Sequence, residues 1–308
     1  MTNSQRNAYG ETLVELGRTN KEIVVLEADL GKSTMGNLFE QAYPDRFYEM
    51  GIAEANMASV AAGLSLSGKI PFFASFAAFC PGRCYDQIRT SICIPSLNVK
   101  ICGSSAGLSD YGDGSTHQSI DDIAIMRVLP NMHVFSPADA IETAKIVRYM
   151  AANHGPMYLR VNRNPLPNIT DESSSFVPGD ITVMKDEGEV AVFATGIMVS
   201  KALEAAEQLK DEFGIHIKVI NVPSIKPLNI TQVQEIAQSA KAIITAEEHN
   251  IYGGLGDAIS HAIGNSCPAK HVRIGINDKF GTSAENYDIL INAYGLSATE
   301  IVNAVRNI

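Results

Sequence analysis

Short apolar runs rich in β-branched residues alternate with segments of helical period along the whole chain. IVVL (23–26), NVKIC (98–102), MHVF (132–135) and MYLRV (157–161) form one series of predicted strands. VAVFAT (190–195), IKVINV (217–222), AIIT (242–245) and VRIGI (272–276) form a second. Helical stretches fall between them at 53–66, 121–129, 137–152, 199–212 and 254–263. Strands that are apolar without strict alternation, each followed by a helix, predict an α/β protein with parallel sheets covered on both faces. The rhythm breaks at NPLPNITDESSSFVPGD (164–180), where proline, serine and acids occur without a period, the signature of a surface linker. The expected organisation is two parallel-sheet α/β domains, residues 1–165 and 188–308, joined by a linker at 166–187.

Composition narrows the function classes. With 45% apolar and 19% charged residues in a chain of 308, two real cores are expected rather than disorder. The net charge of −10 argues against a nucleic-acid or anionic-membrane partner, since each needs a basic surface. No apolar run approaches the length of a membrane span, and MTNSQRNAYGETL lacks the basic-then-apolar pattern of a signal peptide. The expected location is cytoplasmic. The cysteines, at 80, 84, 93, 102 and 267, are odd in number and form no CxxC pair, so reduced, mostly buried thiols are expected.

One segment carries candidate chemistry. In YEMGIAEANMASVAAGLSL (48–66), Met57, Val60, Ala61 and Leu64 share a helix face, and Glu54 occupies the first turn. A carboxylate there complements the helix dipole, and it is equally well placed to meet a ligand. Spacing alone leaves both readings open.

GIAEANM resembles the motif of the transketolase family in which a glutamate bonds the pyrimidine nitrogen of thiamine diphosphate. In that family a shared proton at the ring nitrogen favours the imino tautomer, which takes the proton from the thiazolium carbon. The resemblance makes Glu54 catalytic and cofactor-binding. It extends in order along nearly the whole chain. EADLGKS (27–33) resembles the loop whose aspartate and leucine lie near the thiazolium, implicating Asp29 and Leu30. FFASFAAFCPGRCYDQIR (72–89) resembles the aromatic segment flanking the pyrimidine, which gives Phe79 first and Phe76 second, with Tyr85 as a third aromatic. DYGDGSTHQSIDD (110–122) resembles the family's GEDGxTHQ loop, which implies that Asp113 and His117 contact the donor sugar, with His117 also catalytic. Arg6, Ser33 and Arg163 match three of four family positions that hold an anionic substrate terminus. Ser105 stands where a histidine is usual, and Gly112 where a glutamate is. ATGIMVSKALEAAEQL (194–209) and TAEEHNIYGGLG (245–256) resemble the family's C-terminal domain, usually remote from the chemistry, so Glu247, Glu248 and His249 are expected to be structural.

Thiamine-diphosphate enzymes hold the diphosphate through a divalent metal on a GDG motif followed by a distant asparagine. The triplet Gly112-Asp113-Gly114 has only Asn131 close downstream and lies in the sugar loop, so no metal site is expected in this chain. The resemblance therefore implies thiamine diphosphate with magnesium or calcium held mainly by a partner, an N-terminal transketolase subunit, in an α2β2 assembly acting on a sugar. Competing readings are a 2-oxoacid dehydrogenase beta subunit, a deoxyxylulose-phosphate synthase and a non-catalytic binding subunit of the same fold.

Overall fold

The run Ile23–Glu27 is buried at every position, as a central strand of a parallel sheet must be when helices cover both faces. A computed structural model describes residues 2–264 and 270–308; Cys267 lies outside the described residues. Ile23–Glu27 sits in a seven-stranded sheet. The order is Ser224–Lys226, His133–Phe135, Met157–Arg160, Lys100–Ser104, Ile70–Phe76, Ile23–Glu27, Phe47–Glu49. All its pairings are parallel except the first, where Ser224–Lys226 runs antiparallel to His133–Phe135. A strand from the C-terminal half thus completes the N-terminal sheet. The second sheet has the order Lys270–Ile276, Ala242–Asn250, Val190–Ala194, Lys218–Asn221, Thr182–Asp186. It is parallel apart from its last strand.

Two α/β domains result, with sheets that are mostly parallel and antiparallel only at edges. Thr182–Asp186, inside the segment expected as linker, is that antiparallel edge strand. Leu166–Pro167 pairs with Thr2–Asn3. The connecting chain is anchored early by Asp139, which caps the helix Ala140–Ala152 and accepts from the amides of Ile169 and Thr170, each at 2.7 Å. Among the described residues no helix is long and apolar enough to cross a membrane. Cys80, Cys84, Cys93 and Cys102 are free and buried.

The sheet order places a switch point in the first domain. The chain leaves Ile23–Glu27 for Phe47–Glu49 on one side and returns to Ile70–Phe76 on the other. Connections diverge there, opening a crevice beyond the carboxyl ends of the strands, where ligands of open α/β sheets bind.

Candidate active site

Residues just past four strand ends meet at this crevice. Asp29 follows the strand Ile23–Glu27 with φ 60°, a left-handed conformation that aspartate tolerates. Its amide donates to Glu49 Oε1 at 2.8 Å, and the same oxygen accepts from the Gly51 amide at 2.9 Å. Glu49 therefore ties the Asp29 loop to the turn that delivers Glu54. Leu30 caps the short helix Gly31–Thr34, and Asp29, Leu30, Ser33 and Glu49 line a depression of about 350 Å³.

Glu54 is the first residue of the helix Glu54–Leu66, and its carboxylate is buried. A buried carboxylate needs a counter-charge. Arg83 supplies it, Nη1 to Oε1 at 2.7 Å. The Arg83 guanidinium also lies 4.1 Å from the centroid of Phe79. Phe79 stacks on Phe76 at 5.8 Å with 24° between planes, and His117 meets Phe79 edge-on at 5.2 Å. A flat, cationic, nitrogen-bearing group is thus held between a carboxylate and an aromatic face. An aminopyrimidine such as that of thiamine diphosphate could make the same two contacts, with the guanidinium as its stand-in.

The next cluster lies along the same crevice. Arg6, on the helix Gln5–Thr19, donates from Nη1 to the Ser33 carbonyl at 2.6 Å, while its buried Nε has no partner. Burial and the neighbouring Arg163 hold its pKa below the ordinary arginine value. Arg163 pairs with Asp110 at 2.9 Å and lies 5.6 Å from the Phe76 ring centroid. Asp110 is buried and adjoins the exposed Asp113. Ser105 is buried at φ 54° with no partner for its hydroxyl. At Gly112 an added Cβ meets nothing within 4 Å, so packing does not demand the glycine.

The structure thus brings Glu54, Phe76, Phe79 and His117 into one group, and Arg6, Ser33 and Arg163 into a second that touches it through Phe76. Three members escaped sequence reasoning: Glu49, Arg83 and Asp110. Arg83 lies within the aromatic segment 72–89 with no pattern of its own, and the signal for the other two was an acidic residue near a glycine, which is too common to single out.

The C-terminal domain proves to be close to the site loop, not remote from it. Leu108 donates to Glu248 Oε1 at 2.8 Å, Gln118 Nε2 to the Thr282 carbonyl at 3.0 Å, and Ala284 to the Tyr111 carbonyl at 2.9 Å. Glu247 accepts from the amides of Leu255 and Gly256, holding the start of the helix Leu255–Ile263. Glu248 braces the loop, and His249 bonds the Asn250 carbonyl at 2.7 Å. All three serve as structural groups. Among the described residues, no three or more His, Cys, Asp or Glu side chains are arranged to hold a metal.

The family model for the transketolase pyrimidine-binding domain matches residues 2–168, and that for the transketolase C-terminal domain matches 179–301. The chain belongs to the transketolase family. Members of that family use thiamine diphosphate, and this chain is of the transketolase enzyme type, aligned along nearly its whole length with separately encoded C-terminal sections. It is 40% identical to a putative transketolase C-terminal section of Methanocaldococcus jannaschii, over 97% of this chain and 94% of that protein. It is 39% identical to the 6-deoxy-6-sulfo-D-fructose transketolase subunit SqwH of Clostridium sp., over 98% of this chain and 94% of that one. Against human transketolase the identity is 34%, over 98% of this chain but 48% of the human protein. A solved structure described as a split gene transketolase, inactive beta4 tetramer, superposes with a TM-score of 0.89 at 46% identity, covering 99% of this chain and 97% of that one.

Proposed function

We propose that this chain is the C-terminal subunit of a two-subunit transketolase, which moves a two-carbon ketol unit from a ketose donor to an aldose acceptor. The observation that carries the reading is the buried Glu54 carboxylate facing a flat cation stacked on Phe79. Bound thiamine diphosphate would supply the carbanion equivalent that the amino acids lack. The chain's own part is to hold it and move a proton. Glu54 would bond a pyrimidine nitrogen in place of Arg83 and hold a proton there, and its buried position would keep water from competing. Phe79 and Phe76 would hold the cofactor's aromatic ring, and Asp29 and Leu30 would line the thiazolium side. His117 and Asp113 contact the hydroxyls of the sugar, with His117 positioned to assist proton movement there. Arg6, Ser33 and Arg163 hold the anionic far end of the substrate.

The diphosphate and its divalent metal are assigned to an N-terminal partner subunit, with two copies of each subunit in the assembly. The reading is supported by relatives whose names describe separate sections or subunits, and by a similar structure described as inactive without mention of a second subunit type. The test is reconstitution. This chain alone, with thiamine diphosphate and magnesium, is expected to show no ketol transfer and only weak cofactor binding. Adding the cognate N-terminal subunit is expected to restore turnover of a ketose and an aldose. Full activity from this chain alone would overturn the split reading, and no transfer by the complex with any ketose would overturn the transketolase reading.

A further inference from the structure

The anion-binding end contains a carboxylate that an anion site does not need. Arg163 stands close enough to Arg6 to oppose its charge, an arrangement that calls for a negative partner. Part of that partner is already built in. Asp110, with its side chain only 3% exposed, meets Arg163 Nη1 through Oδ2 at 2.9 Å. Arg163 is held in this pose by its backbone amide, which donates to Ser109 Oγ at 3.2 Å, beside Asp110. The loop carrying Asp110 is fixed from the far side, where Gln118 Nε2 donates to the Asp110 carbonyl at 3.1 Å and to the Thr282 carbonyl at 3.0 Å. Asp110 has little room to swing away when a ligand arrives. The buried Arg6 Nε, with no partner, and the buried Ser105 hydroxyl remain as unused polar groups.

Asp110 thus offsets part of the positive charge that Arg6 and Arg163 bring, and the exposed Asp113 adjoins it. We propose that Asp110 is a specificity-determining residue of this end of the site, narrowing the advantage that two guanidiniums would otherwise give a doubly charged phosphate over a singly charged terminal group such as a sulfonate. The inference rests on the transketolase reading for its substrate and on the Arg163–Asp110 geometry for its sign. A phosphate dianion brings a second negative charge toward the Asp110 carboxylate, and for two charges some 5–6 Å apart that repulsion is worth from a few-fold in affinity in water-like surroundings to about a hundredfold at the effective dielectric of a protein surface.

Two measurements test it. In the assembled enzyme, kcat/KM is compared for acceptor sugars of one chain length ending in phosphate, sulfonate or hydroxyl. Asp110→Asn is expected to raise the phosphate-to-sulfonate ratio by about tenfold, with the hydroxyl sugar as the reference against which each anion is read. Asp110→Glu, which keeps the charge, is expected to retain the wild-type ratio. In the isolated full chain, thermal-shift titrations with inorganic phosphate at alkaline pH and with methanesulfonate read the same ratio without catalysis, and Arg163→Ala is expected to abolish both responses. Should Asp110→Asn fail to fold, Asp110→Ser serves in both assays. An unchanged phosphate-to-sulfonate ratio, or an equal rise for both anions, overturns the proposal. If the assembled wild type transfers no ketol unit even to the uncharged sugar, the transketolase reading fails, while the ion titrations still decide the role of Asp110.

Discussion

Replacing Glu54 with glutamine separates the chemistry of the site from its architecture. The amide keeps the size of the side chain and one acceptor oxygen, but it carries no charge and exchanges no proton. The structural cost is small. The ion pair lost is 2.7 Å long, yet the Arg83 side chain is 51% exposed and largely solvated, so the pair is worth about 0–1 kcal/mol. The chemical cost is large, because a positioned acid–base group contributes about 10²–10⁴ in rate. The assay is deuterium exchange at the thiazolium carbon of thiamine diphosphate in the assembled enzyme, quenched and read by NMR, beside thermal unfolding of the same sample. Glu54→Gln is expected to slow exchange by at least a hundredfold with unfolding nearly unchanged.

Arg83→Ala gives the opposite pattern. Arg83 occupies both contacts proposed for the pyrimidine, so its removal should take away a competitor, and cofactor affinity is expected to rise by about tenfold, or 1.4 kcal/mol. Exchange in the loaded enzyme should stay near wild type. The empty protein should lose about 1–2 kcal/mol, since the buried carboxylate is left without its counter-charge. Exchange within threefold of wild type in Glu54→Gln would refute the role given to Glu54, and weaker cofactor binding in Arg83→Ala would refute the stand-in argument.

Asp113→Ala and His117→Ala should each lower donor kcat/KM by at least tenfold while thiazolium exchange stays near normal; loss of exchange would mean that the loop holds the cofactor instead. Burial raises the Glu142 pKa from 4.5 to about 7, so the folded state holds this proton more tightly than the unfolded chain. Stability from this group is full below pH 4.5 and is lost as pH rises to about 7, by an upper bound of about 3 kcal/mol, so Glu142→Gln should flatten denaturation midpoints across that window. The free Asn221 Oδ1 can turn to accept from the new amide. Gly107→Ala should destabilise by about 3 kcal/mol or more and loosen the sugar loop, because φ is 65° and the added Cβ falls 2.3 Å from Glu248 Cδ; an unchanged melting temperature would contradict the bracing given to Glu248.

What was legible in the sequence follows from how local each signal is. Ile23–Glu27 and Val190–Ala194 announce themselves because a strand buried on both faces must be apolar at every position. Ala242–Asn250 announces only its first half. The strand continues through Glu247, Glu248 and His249, whose burial is made tolerable by backbone groups outside any strand pattern, among them the Leu108 amide 140 positions from Glu248 and the Leu255 amide at Glu247. The strand Ser224–Lys226 has three residues and no period of its own, and it exists because the edge of another domain's sheet is open beside it. The site divides in the same way. Glu54 and Phe79 sit in contiguous motifs, so a resemblance finds them, and their grouping then follows from the switch point in the sheet. Arg83 and Asp110 carry meaning only through partners brought near by the fold, Arg83 29 positions from Glu54 and Asp110 53 from Arg163. A charge of either sign on a surface loop is ordinary in sequence. It becomes informative once its counter-charge is buried, because a fixed, desolvated pair determines which further charge the site accepts.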